Sequence, residues 1–215
     1  MKKIRPARAV IYVIGLLILA LGQALNTKTG LGVSPLTSVP YTLSLITGVS
    51  FGNASFVAHI VFVAIQLVLR EKKQWPSIVL QLGVSLLFTR VLDLYGLLLS
   101  FTCTAIWQRL IVLAAGITCI GVGTSMALAM RLWPNPPDGF VQTLADKMHK
   151  EVGFAKNMAD LANAVLAVII GFFFGNAFMG VGAGTVIGVL CIGRVMFLFN
   201  KAFKARMLTA AGLEG

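Results

Sequence analysis

The segment GLLILALGQALNTKTGLGVSPLTSVPYTL, residues 15–43, matches GITCIGVGTSMALAMRLWPNPPDGFVQTL, residues 116–144, in the order of its features. Each copy begins in an apolar run, passes through a break that contains glycine and proline, and enters a short helical stretch. Identical pairs include Gly15 with Gly116, Gly22 with Gly123, Pro35 with Pro136, Thr42 with Thr143 and Leu43 with Leu144. The sequence therefore contains an internal repeat.

The repeat continues toward the end of each copy. After short insertions, FTRVLDLY at residues 88–95 falls on IGRVMFLF at residues 192–199, which aligns Arg90 with Arg194. Each copy thus holds one span, a break with a short helix, and two further spans. Because an odd number of spans makes the second copy enter the membrane in the opposite sense, we predict inverted repeats, as in many secondary transporters. The alternative is that duplication only builds a stable bundle.

The composition places these repeats in a lipid bilayer. Hydrophobic residues make up 58% of the 215 residues and charged residues 12%, whereas soluble domains average about 25% charged. Apolar runs with roughly the 20 residues that cross a hydrocarbon core occupy residues 9–26, 54–70, 77–99, 108–130, 157–176 and 180–199. We predict an all-α membrane protein with six transmembrane helices, in which residues 1–103 form the first three-helix repeat and 104–215 the second.

The net charge of +11 is distributed as a topology signal. Only Lys28 and Arg109 lie in the connections after the first, third and fifth runs. The basic residues of the other connections and ends are Lys2, Lys3, Arg5, Arg8, Arg70, Lys72, Lys73, Arg131, Lys147, Lys150, Lys156, Lys201, Lys204 and Arg206. Because cytoplasmic loops carry the Lys and Arg excess, both termini are predicted in the cytoplasm. The charge then indicates contact with membrane lipids and no nucleic-acid partner.

The two breaks predict short helices whose N-termini could bind an anion. In the first, Ser34 is placed as N-cap, Pro35 in the first turn and Gly48 at the end. In the second, Asn135 is the cap and Pro136 follows. A helix N-terminus offers free N–H groups and a partial charge of about +0.5. The alternative is that both segments are amphipathic connectors.

Three charged residues inside the spans suggest a site. Arg90 and Asp93 are three residues apart on one helix face, and Arg194 is the repeat counterpart of Arg90. Arginine remains charged and can bind a carboxylate or phosphate through two hydrogen bonds. One interpretation therefore places both arginines at a central cavity. The alternatives are a structural pair between Arg90 and Asp93, and an Arg194 that extends to cytoplasmic phosphates.

Other polar residues in the spans favour structural roles. Gln23 and Asn26 end the first span and remain candidates for the site. Asp160 has Lys156 as an interfacial partner, and His59 is expected as a hydrogen-bonded core residue rather than a proton relay. The sequence contains no nucleophile–base pair, metal-ligand spacing or phosphate-binding loop. We therefore expect no enzyme activity, no cofactor and no metal.

The residues GVSPLTSVPYTLSLITGVSFG, NPPDGF and GVGAGTVIGVLCIGRVMFLF resemble the YczE/YitT-type family of small bacterial multi-pass membrane proteins. The resemblance covers most of the chain, from Gly15 to Phe199. In that family the first break tends to read Pro-Trp-Asp, whereas here it reads Pro35-Leu36-Thr37. The resemblance implies a helical fold in the bacterial inner membrane. It is compatible with transport and names no substrate.

Together these patterns predict a small secondary transporter or exporter of an anionic or zwitterionic organic solute, with proton coupling as an option. The predicted substrate-binding residues are Arg90, Arg194, Ser34, Pro35, Thr37, Pro136, Asp138, Gln23 and Asn26, and the predicted coupling residues are Asp93 and Asp138. The alternatives are a substrate-binding membrane subunit of a larger importer and a structural or regulatory membrane protein. The small size leaves a homodimer open.

Overall fold

The computed structural model describes residues 5–213, and these residues form helices without any β-strand. Lys2 and Lys3, which contribute to the predicted topology, lie outside this range. The α-helices are α1 (Pro6–Lys28), α2 (Pro35–Thr47), α3 (Phe51–Leu69), α4 (Trp75–Leu98), α5 (Ile106–Ala129), α6 (Pro136–Met148), α7 (Val152–Phe173) and α8 (Ala183–Ala211), and a 3-10 turn occupies Lys72–Gln74.

Six helices in the described chain are long and apolar enough to cross a membrane: α1, α3, α4 with its preceding 3-10 turn, α5, α7 and α8. They correspond one to one with the six predicted runs, so the chain is a multi-pass membrane protein. The short helices α2 and α6 also form where the breaks predicted them. Pro35 begins α2, and Gly48 ends it with a left-handed φ of 71°. The boundary between residues 1–103 and 104–215 stays a prediction.

The centre of the bundle is the crossing of α1 with α5, the most extensive helix–helix contact. Gly15 and Gly22 of α1 lie directly against the backbone of α5, where Gly116 and Gly123 take the corresponding places. Small residues allow membrane helices to approach closely, so that their backbones gain dispersion contacts. The glycine pairs that define the sequence repeat therefore form this central contact.

The remaining helices are arranged around this pair. Helix α4 packs on α1, and α8 packs on α5. Helix α2 packs against α7, while α6 packs against α3. Helices α3 and α4 also pack along each other, whereas α7 and α8 have no comparable contact among the described residues. The α7–α8 side of the molecule is thus more open than the α3–α4 side.

A buried polar seam joins α3 to α4. The side-chain amides of Gln66 and Gln81 exchange two hydrogen bonds of 3.2 and 3.0 Å. Gln66 also donates to the carbonyl of Pro136 at 3.3 Å, which ties the seam to the start of α6. His59 Nδ1 lies 2.6 Å from Ser85 Oγ. His59 is buried, so the expectation of a hydrogen-bonded core histidine is confirmed.

Arg90 and Asp93 hold the N-terminus of α3. The carboxylate of Asp93 accepts hydrogen bonds from the Gly52 N–H at 2.7 Å and from the Ser50 hydroxyl at 2.9 Å. Arg90 donates to Asn53 Oδ1 at 2.5 Å and lies 3.8 Å from Asp93. The structural alternative for this pair therefore accounts for both charges, because α3 begins with backbone donors that need acceptors.

Replacing Asp93 with alanine is expected to cost about 3 kcal/mol, because hydrogen bonds to a charged group are worth roughly 1.5–3 kcal/mol each and Asp93 accepts two of them. Arg90→Gln should cost less than about 1 kcal/mol, because exposed ion pairs contribute little. The measurement is the midpoint of denaturant-induced unfolding in detergent for both variants. A larger loss for Arg90→Gln than for Asp93→Ala would contradict the capping role of Asp93.

Candidate functional site

A cavity of about 130 Å³ lies beside the central helix pair. It is lined by residues of α1, α2, α5, α6, α7 and α8, and it reaches Leu19 and Ile120 close to the middle of α1 and α5. A cavity of about 150 Å³ in another protein holds benzene, which has six non-hydrogen atoms. The space therefore suits a small organic solute.

The N-termini of both short helices converge on this cavity. Ser34 and Thr37 line it from α2, and Asn135 and Asp138 line it from α6. Neither helix has a side-chain hydrogen bond at its N-cap. In α6 the first two residues are prolines, which have no N–H to donate. The first backbone N–H of α6 is therefore that of Asp138, whereas the first of α2 is that of Leu36.

Two buried amide side chains face the cavity without hydrogen bonds. Gln23 is 9% exposed and Asn135 is 4% exposed. Gln23 Oε1 and Asn135 Oδ1 have no hydrogen-bond partner among the described residues. A buried acceptor without a partner costs about 1–3 kcal/mol, so these two oxygens favour a ligand that donates hydrogen bonds.

The charged residues that line the cavity are Asp138 and Lys156, and Lys156 has Asp160 as its ion-pair partner. Lys156 Nζ lies 2.6 Å from Asp160 Oδ2, and the Asp160 side chain is only 4% exposed. Asp138 has neither an ion pair nor a hydrogen-bond partner for its carboxylate among the described residues. Burial raises the pKa of Asp138 to about 6, while Lys156 lowers this pKa and Asp160 raises it. Asp138 is therefore the carboxylate of the cavity that can take up a proton near neutral pH.

The sequence of this chain matches that of a described family over nearly its whole length. A profile for a family of unknown function, DUF6198, matches residues 6–201. The chain belongs to the DUF6198 family. An uncharacterized protein of Haemophilus influenzae is 27% identical over 195 residues, which cover 88% of this chain and 81% of that protein.

A second relative of this DUF6198 chain is the uncharacterized protein YyaS of Bacillus subtilis. It is 27% identical over 201 residues, which cover 92% of this chain and 94% of YyaS. No solved structure matches the chain. These relatives are consistent with the expected small, uncharacterised bacterial family. The YczE/YitT name is not confirmed. None of them carries a named activity.

Four of the predicted site residues line the cavity of this DUF6198 chain: Gln23, Ser34, Thr37 and Asp138. Pro35 and Pro136 are buried where they begin α2 and α6, next to the lining residues. Asn26 does not reach the cavity. Its side chain lies against Gly116 in the contact between α1 and α5.

Arg90 and Arg194 are placed differently from the predicted arrangement. Neither side chain lines the cavity, and both residues are exposed at the outside of the described helices. The Arg90 side chain is 52% exposed and is bonded to Asn53 at the start of α3. Asp93, a predicted coupling residue, is likewise held at that helix start and away from the cavity. The physical reason is that periodicity in an apolar run does not show which face of a helix meets the bundle.

Four polar or charged lining residues were not in the predicted set: Thr124, Asn135, Gln142 and Lys156. Asn135 was recognised only as a helix cap. Lys156 was assigned to Asp160, and that pair is confirmed. The repeat alignment carried a usable signal, because it matches Asn135 with Ser34, which was chosen. For Lys156 the sequence gives no such signal, since the rotation of α7 decides that it faces inward.

Proposed function

We propose that this protein is a small secondary transporter or exporter of a zwitterionic or anionic organic solute. The observation that carries the proposal is the cavity between the N-termini of α2 and α6, which Gln23 and Asn135 face with unpartnered oxygens. Secondary transporters commonly bind solutes and ions at the ends of discontinuous helices near the bilayer midplane. A solute that donates hydrogen bonds to Gln23 and Asn135 would remove their desolvation cost.

The charges of the cavity favour a zwitterion over a simple anion. Arg90 and Arg194 are outside it, so the strong anion ligands expected from the sequence are missing from the lining. The dipole of α2 suits an anionic group, whereas Lys156 is already paired with Asp160. Asp138 suits a cationic group. A small solute that carries both charges matches this set better than an anion does.

The packing pattern supports the inverted repeats of the proposal. Helix α2 packs on α7 as α6 packs on α3, and α4 packs on α1 as α8 packs on α5. The two repeats differ in one contact. Helices α3 and α4 pack together through the hydrogen bonds of Gln66 and Gln81, whereas α7 and α8 have no comparable contact among the described residues. A transporter with inverted repeats opens its two sides in turn, and one of its states would show such an asymmetry.

The proposed setting is the bacterial inner membrane with both termini in the cytoplasm. This follows from the basic connections, in which Arg70, Lys72 and Lys73 lie on the same side as Lys147 and Lys150. The proposed partners are the solute and membrane lipids. The proposal includes no enzymatic step, cofactor, metal or nucleic acid, and it leaves a homodimer open.

Gln23→Met is expected to raise the unfolding midpoint of the solute-free protein and to abolish its stabilisation by solute. The first effect follows because the substitution removes a buried amide that has no partner. The second follows because the amide is a proposed ligand. The measurement is thermal unfolding in detergent against a panel of small zwitterions, anions, cations and neutral metabolites. A solute at a hundred times its Kd should add about 2.7 kcal/mol to the wild type.

Arg194→Gln is the matched control for this experiment, because Arg194 is polar and exposed outside the cavity. It should leave the solute-induced shift unchanged. Loss of the shift in Arg194→Gln with retention in Gln23→Met would overturn the assignment of the cavity and restore the arginine site.

An experiment in reconstituted vesicles distinguishes the two alternative functions from transport. A substrate-binding subunit of an importer would bind the stabilising solute without moving it under any ion gradient. A structural or regulatory protein would bind no solute, and Gln23→Met would then only raise the midpoint. Uptake or release of the stabilising solute by liposomes that contain the purified protein therefore decides among the three.

A further inference from the structure

We propose that Asp138 binds a cationic group of the solute, such as a primary ammonium, and that this group exchanges with a proton at the same carboxylate. The inference rests on the proposed function, since it assigns a role to one residue of the proposed cavity. It narrows the solute to one that carries a protonated amine. It also names the site at which solute and proton compete.

The charge balance of the cavity carries this inference. Lys156 lies 2.6 Å from Asp160, so that this lysine is already paired. Asp138 has neither an ion pair nor a hydrogen bond to its carboxylate among the described residues. Two carboxylates and one lysine leave one negative charge without a partner. In a site of low polarity this charge favours either a proton or a bound cation.

Lys156 and Asp160 are the charged residues that act on Asp138 among the described residues. Arg70, at the end of α3, pairs with Asp146 in the later part of α6 instead. Helix α7 contributes Lys156 and Asp160, and α1 contributes the Tyr12 phenol, whose hydroxyl donates to the carbonyl of Trp133. Helices α3 and α4 bring the neutral amides of Gln66 and Gln81 against Gly139. The α2, α5 and α8 residues of the lining are Ser34, Leu36, Thr37, Ile120, Thr124, Leu128, Ile192 and Met196, all of them uncharged.

Asp138 is not used as a helix cap. It is the third residue of α6, a position from which a carboxylate can reach back to the N-cap backbone. No side-chain hydrogen bond of that kind is present at this helix start. Asp138 lines the cavity instead, as does Asn135 with its unpartnered Oδ1. Asn135 Oδ1 and the Asp138 carboxylate together form a set of acceptors suited to the three N–H donors of an ammonium group.

The titration of Asp138 fits an exchange between proton and cation. Burial raises its pKa to about 6. Above this pH the carboxylate is ionised and can accept a cation, and below it a proton occupies the site. A cation that binds only the ionised form then loses affinity by about tenfold for each pH unit below the pKa.

Methylammonium and acetate are probes that separate the two charges of the proposed solute. At 100 mM, methylammonium chloride is expected to raise the unfolding midpoint of the wild type at pH 7.5, relative to sodium chloride, and not at pH 5. Sodium acetate should have no such effect at pH 7.5. The methylammonium effect should disappear in Asp138→Asn, which keeps the shape of the side chain, and return in Asp138→Glu.

The outcomes separate this inference from the proposed function. Stabilisation by acetate instead of methylammonium, a methylammonium effect that persists in Asp138→Asn, or no methylammonium effect in the wild type would each overturn the cation site. If Asp138→Asn unfolds early, proton release is measured instead. Methylammonium binding to the wild type at pH 6.5 should release protons into weak buffer, and the absence of release would also overturn the proposal.

Transport is tested apart from this. An Asp138-dependent methylammonium response without solute movement in liposomes would keep the cation site and reject the transporter. Solute movement that Asp138→Asn leaves intact would keep the transporter and reject the cation site.

Discussion

Gly123→Leu is expected to prevent the protein from forming its stable helical bundle. A Cβ atom at Gly123 would lie 2.5 Å from the Leu19 backbone nitrogen and 2.6 Å from the Gly15 carbonyl oxygen. Backbone atoms cannot move aside as the end of a flexible side chain can, so α1 would have to separate from α5. Overpacking a well-packed core typically costs 1–3 kcal/mol, and we expect about 3 kcal/mol or more at this central crossing.

Gly83→Leu is the matched control for Gly123→Leu. Gly83 is also inside a long apolar helix, and a Cβ atom there has nothing within 4 Å. Glycine inside a helix is destabilising by roughly 0.5–1 kcal/mol relative to alanine, so its replacement is itself favourable. Gly83→Leu should therefore unfold at or above the wild-type midpoint. Size-exclusion profiles and unfolding midpoints in detergent measure both variants, and equal stability of the two would show that α1 and α5 do not cross as described.

This crossing shows which part of the fold the sequence predicts well. Gly22 and Gly123 were recognised as repeat positions, and the structure makes them contact positions. The breaks at Pro35 and Pro136 were also located correctly, because the backbone conformation of proline favours the first turn of a helix and that of glycine favours its end. Proline and glycine therefore predicted where the two short helices begin and where α2 ends, and the length of the apolar runs predicted which helices are long enough to cross a membrane.

The end of α8 was less accessible to prediction. The apolar run stops at Phe199, yet the helix continues to Ala211. Lys201, Lys204 and Arg206 interrupt hydrophobicity, but lysine and arginine are good helix formers. The helix ends only at Gly212, which has a left-handed φ of 65°. The length of an apolar run indicates the part of a helix that crosses the membrane, whereas the helix itself continues as long as its residues favour the helical conformation.

The sequence predicted the lining residues that lie at the two breaks. It missed those whose position depends on how a long helix is rotated about its axis. Ser34, Thr37 and Asp138 follow directly from the two short helices and line the cavity. Arg90 was chosen for its charge and for its repeat counterpart Arg194, and a charge in an apolar run can be satisfied locally, as it is at the start of α3. The neighbouring helices set the rotation of α7, so a single sequence could not show that Lys156 faces inward.

Lys156→Met is expected to destabilise the protein by roughly 3–5 kcal/mol, because removing one partner leaves the other as an uncompensated buried charge. Asp160 is the partner, with a side chain only 4% exposed. Its second oxygen, Oδ1, has no hydrogen-bond partner among the described residues, so this carboxylate depends on Lys156. The measurement is the free energy of unfolding in detergent at neutral pH.

The double variant Lys156→Met/Asp160→Leu should recover most of this loss, since two apolar residues of similar size leave no charge behind. Asp160→Asn alone should cost less than Lys156→Met, because the Lys156 side chain is 34% exposed and can turn toward the cavity. If all three variants were equally stable, the pair would be fully hydrated and the wall of the cavity open to water. A large cost for Lys156→Met that the double variant removes would instead show that Lys156 and Asp160 neutralise each other away from water. Asp138 would then be the remaining charge that a solute could bind.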